Sequence, residues 1–204
     1  MKYCLLFTIA LTYFCNCNSQ DLKKRSNYSH PNLKETYFVL KSNKDVKHGP
    51  YTLVLFNDTI QSGYFRNNEK SGVWKYYRHD QTVEYAFDYD SNKIITDTAV
   101  TERPPLYSEG WEYFNILKAK YTEYPVEALE AGASGCVYIS FDVNEDGTAS
   151  DFRLEIGAGN ILLNNEALRV VKKVASENFW FPGTNSEGEK VKASIASPVR
   201  FIIQ

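Results

Sequence analysis

Asp142, Asn144 and Asp146 place oxygen-bearing side chains at every second position, and Gly147 follows them. That spacing opens a helix-flanked calcium loop, where such oxygens ligate the cation and a glycine permits the sharp turn. The same residues, "DVNEDG", equally suit a strand running into an Asp-Gly hairpin turn. The flanks choose between the two. Upstream, Val137, Ile139, Phe141 and Val143 alternate with Cys136, Tyr138, Ser140 and Asp142. Downstream, Phe152, Leu154 and Ile156 alternate with Asp151, Arg153 and Glu155. A period of two marks strands with one buried face rather than helices. Counted from Asp142, the twelfth position is Arg153, a cation where calcium requires a bidentate carboxylate. The stretch is predicted to be a hairpin, and no metal is expected.

No other group of residues assembles into chemistry. His30, His48 and His79 fall in loops or turns without partners at metal-ligand spacing. "GAGN" (157–160) is too short for a phosphate-cradling loop, and no Gly-x-Ser-x-Gly elbow occurs. Cys136 has no adjacent base to activate it and reads as a small apolar residue. Two glycosylation triplets, Asn27-Tyr28-Ser29 and Asn57-Asp58-Thr59, are of a kind that arises by chance. Neither catalysis nor a cofactor is expected.

The chain has 204 residues, enough for one or two small domains. A net charge of −2 and no basic run beyond Lys23-Lys24-Arg25 exclude nucleic-acid binding driven by phosphate neutralisation. With 15 tyrosines and 12 phenylalanines the composition leans towards β structure. Residues 1–19 read as a targeting segment. Lys2 supplies the positive end, Tyr3 to Phe14 an uncharged and mostly apolar run, and Cys17-Asn18-Ser19 a small-residue cleavage point before Gln20. A membrane-spanning helix needs about 20 apolar residues, and this run stops short of that at Asn16. The expectation is export with cleavage into the periplasm; a retained inner-membrane anchor and lipid attachment at Cys15 or Cys17 are the alternatives. Only Cys136 would remain in the mature chain, so its stability must come from packing and not from an internal disulfide.

Residues 36–96 carry a weak internal repeat. "HGPYTLVLFNDTIQSGYFRNNEK" (48–70) aligns without gaps on "SGVWKYYRHDQTVEYAFDYDSNK" (71–93), matching Gly49 to Gly72, Tyr51 to Trp74 and Lys70 to Lys93. Each unit has two aromatic or β-branched runs around a polar turn, which predicts stacked hairpins in an antiparallel meander. The aromatic residues Tyr51, Trp74, Tyr76 and Tyr77 are read as cross-strand pairs, with an exposed stacking platform as the alternative. A linker is placed at 97–108, with Pro104-Pro105 excluding a helix or central strand there, and the domain boundary near Glu102. From 103 to 204 the pattern predicts helix, strand, strand, helix, strand. The first helix spans 108–121 with Trp111, Phe114 and Leu117 on one side. Asn164 or Asn165 caps the second, and the final strand runs from about Val191 to Ile203 with Pro198 inside it.

The Gly-aromatic-Gly rhythm of the repeats resembles the MORN type, which implies a β-sheet interaction or spacer module. The second half resembles the TonB C-terminal domain family. The resemblance is carried by "YPVEALEAGASGCVYISFDVNEDGTASDFRLEIG" (124–157), "LNNEALRVVKK" (163–173), "FWFPGTNSEGEKV" (179–191) and "PVRFII" (198–203). It implies an α+β fold: a MORN-like antiparallel meander, then a small α-β-β-α-β domain of the TonB C-terminal kind. It further implies that the last strand captures an extended peptide of an outer-membrane transporter, or of another envelope protein, by β-strand addition. By that analogy the pairing residues are Lys192, Ala193, Ser194, Ile195, Ala196, Ser197 and Val199. The alternatives are self-association through the same edge as a homodimer or scaffold, and a membrane-anchored energy transducer. The short apolar run and the absence of a long Pro-rich span depart from the transducer pattern. If the targeting reading holds, mass spectrometry of the exported protein will find an N-terminus near Gln20; a mature chain still beginning at Met1 would overturn it.

Overall fold

The computed structural model describes residues 21–95 and 101–203. The segment read as an export signal, 1–19, lies outside the described residues, as do linker residues 97–100. Among the described residues no helix is long and apolar enough to cross a membrane.

The first half is one seven-stranded antiparallel meander: β1 (Leu22–His30), β2 (Leu33–Leu40), β3 (Gly49–Leu55), β4 (Asp58–Arg66), β5 (Glu69–Tyr77), β6 (Val83–Asp88) and β7 (Lys93–Ile95), paired in chain order. It starts earlier than the repeat pattern predicts, because β1 is mostly exposed and polar and carries no apolar alternation to betray it. Two-residue turns close the central hairpins. Asn67 and Asn68 both take positive φ, 53° and 72°, the mirror-image turn whose twist matches that of the flanking strands. The inner face buries Leu33, Tyr51, Leu53, Ile60, Trp74, Tyr76, Tyr85 and Phe87. Tyr51 and Trp74, which correspond in the repeat, lie 5.1 Å apart between ring centroids, and Tyr76 stacks on Tyr85 at 4.5 Å. The aromatic residues Tyr51, Trp74 and Tyr76 thus form the core. Gly63 makes room for Trp74: a Cβ there would stand 2.2 Å from the indole.

The second half comprises β8 (Leu106–Tyr107), α1 (Trp111–Tyr121), α2 (Val126–Glu130), β9 (Gly135–Val143), β10 (Ala149–Ile156), α3 (Ile161–Glu177), β11 (Trp180–Phe181), β12 (Gly183–Thr184), β13 (Lys190–Val191) and β14 (Ala193–Phe201). β10, β9 and β14 form an antiparallel sheet in that order, β11 pairs with β8, and β12 pairs with β13. Val137, Ile139, Phe141 and Val143 of β9 are fully buried against α1 and α3, as their alternation requires. "DVNEDG" is the β9–β10 turn: the Asn144 amide bonds the Thr148 carbonyl at 2.9 Å and Gly147 takes φ 83°. Arg153 reaches back to the Asp142 carboxylate at 2.8 Å.

Three elements differ from the sequence reading. α3 begins one turn earlier, capped by Asn160, whose side chain accepts from the amides of Leu162 and Leu163; Asn164 is already helical and accepts from the Ala158 amide. β10 does not bury an alternating face. Bulges between Ser150 and Arg153 and between Leu154 and Ile156 shift its phase, leaving Leu154 and Ile156 exposed. The span read as linker also ends in structure, since Arg103 bridges to Thr184 and Leu106–Tyr107 is a buried strand.

β8 and β11 join the halves. Leu106 and Phe181 pack into the meander's core, while their neighbours Tyr107 and Trp180 pack into the second core. Side chains alternate across a strand, so one short ribbon serves both sides. Polar contacts reinforce the seam. The Tyr85 hydroxyl donates to the Tyr107 carbonyl at 2.7 Å, and Gln61 Nε2 donates to the Glu109 carbonyl at 2.7 Å. The Glu109 carboxylate lies 2.7 Å from Lys70 Nζ. α1 lacks a cap of its own at Gly110, and Glu84 of β6 accepts from the Trp111 amide at 2.9 Å. The Lys70–Glu109 pair is mostly buried, so removing one partner strands the other. Glu109→Ala should cost about 2–3 kcal/mol in urea unfolding, and adding Lys70→Met should recover most of it; strictly additive losses would show that the two groups do not act as a pair.

Candidate peptide-binding edge

β14 is a nine-residue strand at the margin of its sheet. It pairs with β9 from Ala193↔Val143 to Phe201↔Gly135 without a register shift. Which of its backbone groups face outward follows from Pro198, which lies opposite Tyr138. Proline has no amide proton, so it fits an antiparallel ladder where N–H and C=O point away from the partner strand. A second contact agrees: Lys118 Nζ, on α1, donates to the Pro198 carbonyl at 2.9 Å from outside the ladder. The parity then runs the length of the strand. Ser194, Ala196 and Arg200 direct their amides and carbonyls to the free margin. Ala193, Ile195, Ser197, Val199 and Phe201 direct theirs to β9.

This sorts the residues picked out by sequence. Ser194 and Ala196 are exposed, and their backbone groups face outward. Val199 and Ser197 are buried, and Ala193 and Ile195 are half-buried; these four turn their side chains to the helices and spend their backbone groups on β9. They build the strand without offering a free ladder group. Lys192 precedes it and is engaged elsewhere: its ammonium lies 2.6 Å from Asp151 and 3.1 Å from Asp142. Asp142 also accepts from Ser194 Oγ at 2.6 Å, which ties β9, β10 and β14 together at one end. Arg153 beside it, then Ser194 and Lys192, hold the Asp142 carboxyl well below the usual carboxylate range.

Sequence reading missed Lys118. Its ammonium donates to Ser197 Oγ at 2.6 Å as well as to the Pro198 carbonyl, beneath the rings of Trp111 and Phe114. The signal was available, since Lys118 stands four residues after Phe114, on the helix's apolar stripe. A cavity of about 420 Å³ opens beside it between α1 and the end of β14, floored by Ala119, Thr122, Tyr124 and Phe201. Lys118 is only 5% exposed, and burial pushes its pKa down to about 8.

Comparison with known proteins places the likeness in this half. The family described as Gram-negative bacterial TonB protein C-terminal matches residues 120–203, less than half of the chain. That family is one of envelope protein-interaction domains. Two solution NMR structures of the Helicobacter pylori TonB C-terminal domain are similar, at 22% and 23% identity with TM-scores of 0.37 and 0.36. Each covers 45% of this chain, against 78% and 90% of its own. No curated protein matches the chain. Lys118 and all of α1 but its last two residues precede the matched region.

The depressed Lys118 pKa has a definite sign. Below about pH 8 the folded state carries a buried charge that the unfolded state solvates. Between that point and the ordinary lysine value the unfolded chain binds more protons, so stability rises with pH. Above about pH 10 the buried tyrosines Tyr51, Tyr76, Tyr85 and Tyr107, all pushed up mainly by burial, reverse the trend. Unfolding free energy should therefore climb by on the order of 1–2 kcal/mol between pH 7 and 9.5, and Lys118→Met should flatten the climb; an unchanged slope in the variant would assign it to another group.

Proposed function

We propose that the protein is a non-catalytic binding module of the bacterial envelope. β14 takes up an extended segment of a partner protein, of the outer-membrane, TonB-dependent transport kind, as an added strand. On this reading residues 1–19 direct export, and the meander is a MORN-like module that buttresses the second domain.

The observation that carries the reading is the difference among four sheet edges. An exposed edge invites unwanted pairing, and proteins blunt it with charge, brevity or bulges. β1 carries Lys23, Lys24 and Arg25, and β7 has three residues including Lys93. β10 is bulged and bears Asp151, Arg153 and Glu155, with Asp151 at φ 53°. β14 alone among these has an unbroken register and no ionisable side chain from Ala193 to Val199. Its outward groups at Ser194 and Ala196 are two donors and two acceptors. Each new backbone hydrogen bond is worth about 0.5–1.5 kcal/mol net, which suits reversible capture. The family match to residues 120–203 supports the class of partner.

Ala196 permits a clean test, because its amide faces outward while the β9 ladder runs through its neighbours. Ala196→Pro should leave the thermal midpoint within a few degrees yet abolish photo-crosslinking of a partner strand from position 194. Ile195→Pro, which removes a ladder bond to β9, should instead unfold the domain. If Ala196→Pro crosslinks as well as the parent chain, β14 is not the capturing edge. Crosslinks only to a second copy of this chain would redirect the reading to self-association.

A further inference from the structure

The seam between the meander and α1 leaves a cavity of about 370 Å³, within the size range of small-molecule sites. Its charged groups come in closed pairs. Glu35 of β2 lies 2.8 Å from Lys47, whose ammonium also stands over the Phe65 ring, and Glu109 lies 2.7 Å from Lys70. Lys70 spends its other donors on the hydroxyls of Tyr76 and Tyr89. Glu177 is held by Lys173 at 2.6 Å. Two neutral groups are left over. Gln61 is only 3% exposed and its Nε2 donates to the Glu109 carbonyl, but its Oε1 receives no donor among the described residues. No fully buried polar atom of a described side chain lacks a partner, so this oxygen meets open space, and the space that Gln61 lines is the cavity. The second group is the Tyr113 hydroxyl on α1. Lys47, Lys70 and Gln61 bond the carboxylates of Glu35 and Glu109, and Tyr113, which lines the same cavity, bonds neither. Burial, then Glu109 and Glu35, push the Tyr113 pKa up, which puts the hydroxyl in the field of both carboxylates.

We propose that this cavity is a saccharide site, in which Gln61 and Tyr113 bond the hydroxyls of a neutral sugar. The inference goes beyond strand addition at β14 and does not depend on it. A phosphate or carboxylate ligand needs a spare cation, and an ammonium ligand needs a spare carboxylate. Either would have to open a largely buried ion pair, which is costly. A purely apolar ligand would take the Gln61 oxygen out of water and give it no donor, which is unfavourable too. A sugar hydroxyl both donates and accepts. One hydroxyl gives its proton to Gln61 Oε1 while another accepts that of Tyr113, and both ion pairs stay closed. The rings of Phe65 and Tyr113 supply apolar wall for the C–H face of the sugar, and the few placed polar groups fix its orientation.

The experiment titrates the full chain with two matched pairs of disaccharides and follows the side-chain amide of Gln61 by NMR. One pair is cellobiose and its acid, cellobiouronate; the other is diacetylchitobiose and its diamine, chitobiose. A neutral member should bind in the millimolar range and move the Gln61 resonances, with its charged counterpart about 10-fold weaker. Tyr113→Phe removes only a hydroxyl that has no partner within the described chain. It should weaken the sugar about 5-fold, the worth of one hydrogen bond, and leave the thermal midpoint where it was. If neither neutral disaccharide moves Gln61, or if the charged counterparts bind as tightly, the site is not one for saccharides. Undiminished affinity in Tyr113→Phe, with the Gln61 shift intact, would equally overturn it.

Discussion

The two-strand ribbon formed by Leu106–Tyr107 and Trp180–Phe181 is the contact on which the remainder depends. It is only two residues wide, yet each strand sends one side chain to either core. Trp180 meets Tyr107, Phe114 and Phe141 at centroid distances of 4.9–5.3 Å, and its indole N–H is satisfied by the Ala175 carbonyl. On the opposite side Phe181 stacks on Phe87 at 4.8 Å. A wall shared in this way makes the meander part of the second domain's packing and not a neighbour on a tether. It also fixes where α1 begins, because the chain leaves β8 directly into Gly110 and the cap supplied by Glu84.

From that starting point the route to β14 is short. α1 runs from the seam to the sheet margin, and Lys118 on its last turns fastens the strand at Ser197 and Pro198. The margin is thus held from behind by a helix that the meander itself anchors. What is rigid is the inner face, where Val199 and Phe201 are buried; what is offered is backbone at Ser194 and Ala196. This division suits recognition by main-chain bonds, which need a straight and well-supported template more than they need particular side chains.

Much of this was legible in the sequence, for identifiable reasons. The period-two runs around "DVNEDG" and the cation at Arg153 led to a hairpin, and the spacing of Trp111, Phe114 and Leu117 led to α1. The repeat registered Tyr51 on Trp74, and the two rings do share one face. Other features carried no local signal. β1 forms because β2 stands beside it, not because its own polar sequence demands a strand. β8 hides behind Pro104-Pro105, and its pairing partner lies more than seventy residues away. β10 alternates faultlessly on paper, but its bulges, with Asp151 in the left-handed region, spoil the phase. The cap of α3 was placed a turn late because Asn164 and Asn165 outshone Asn160, and only backbone geometry tells them apart. At the edge, the sequence located the strand and missed its parity. Pro198 held that information throughout, since a residue without an amide proton can face only one way.

The same proline bears on crowding. A bare margin that can be copied by its own kind is a seed for fibres, because every added ribbon presents a fresh margin to the next. Here the copying stops after a few residues: the ring of Pro198 interrupts the row of donors, and its carbonyl is already held by Lys118. Such a template can greet a short visitor but cannot propagate itself, so the chain can remain dispersed at concentrations where an uninterrupted edge would precipitate.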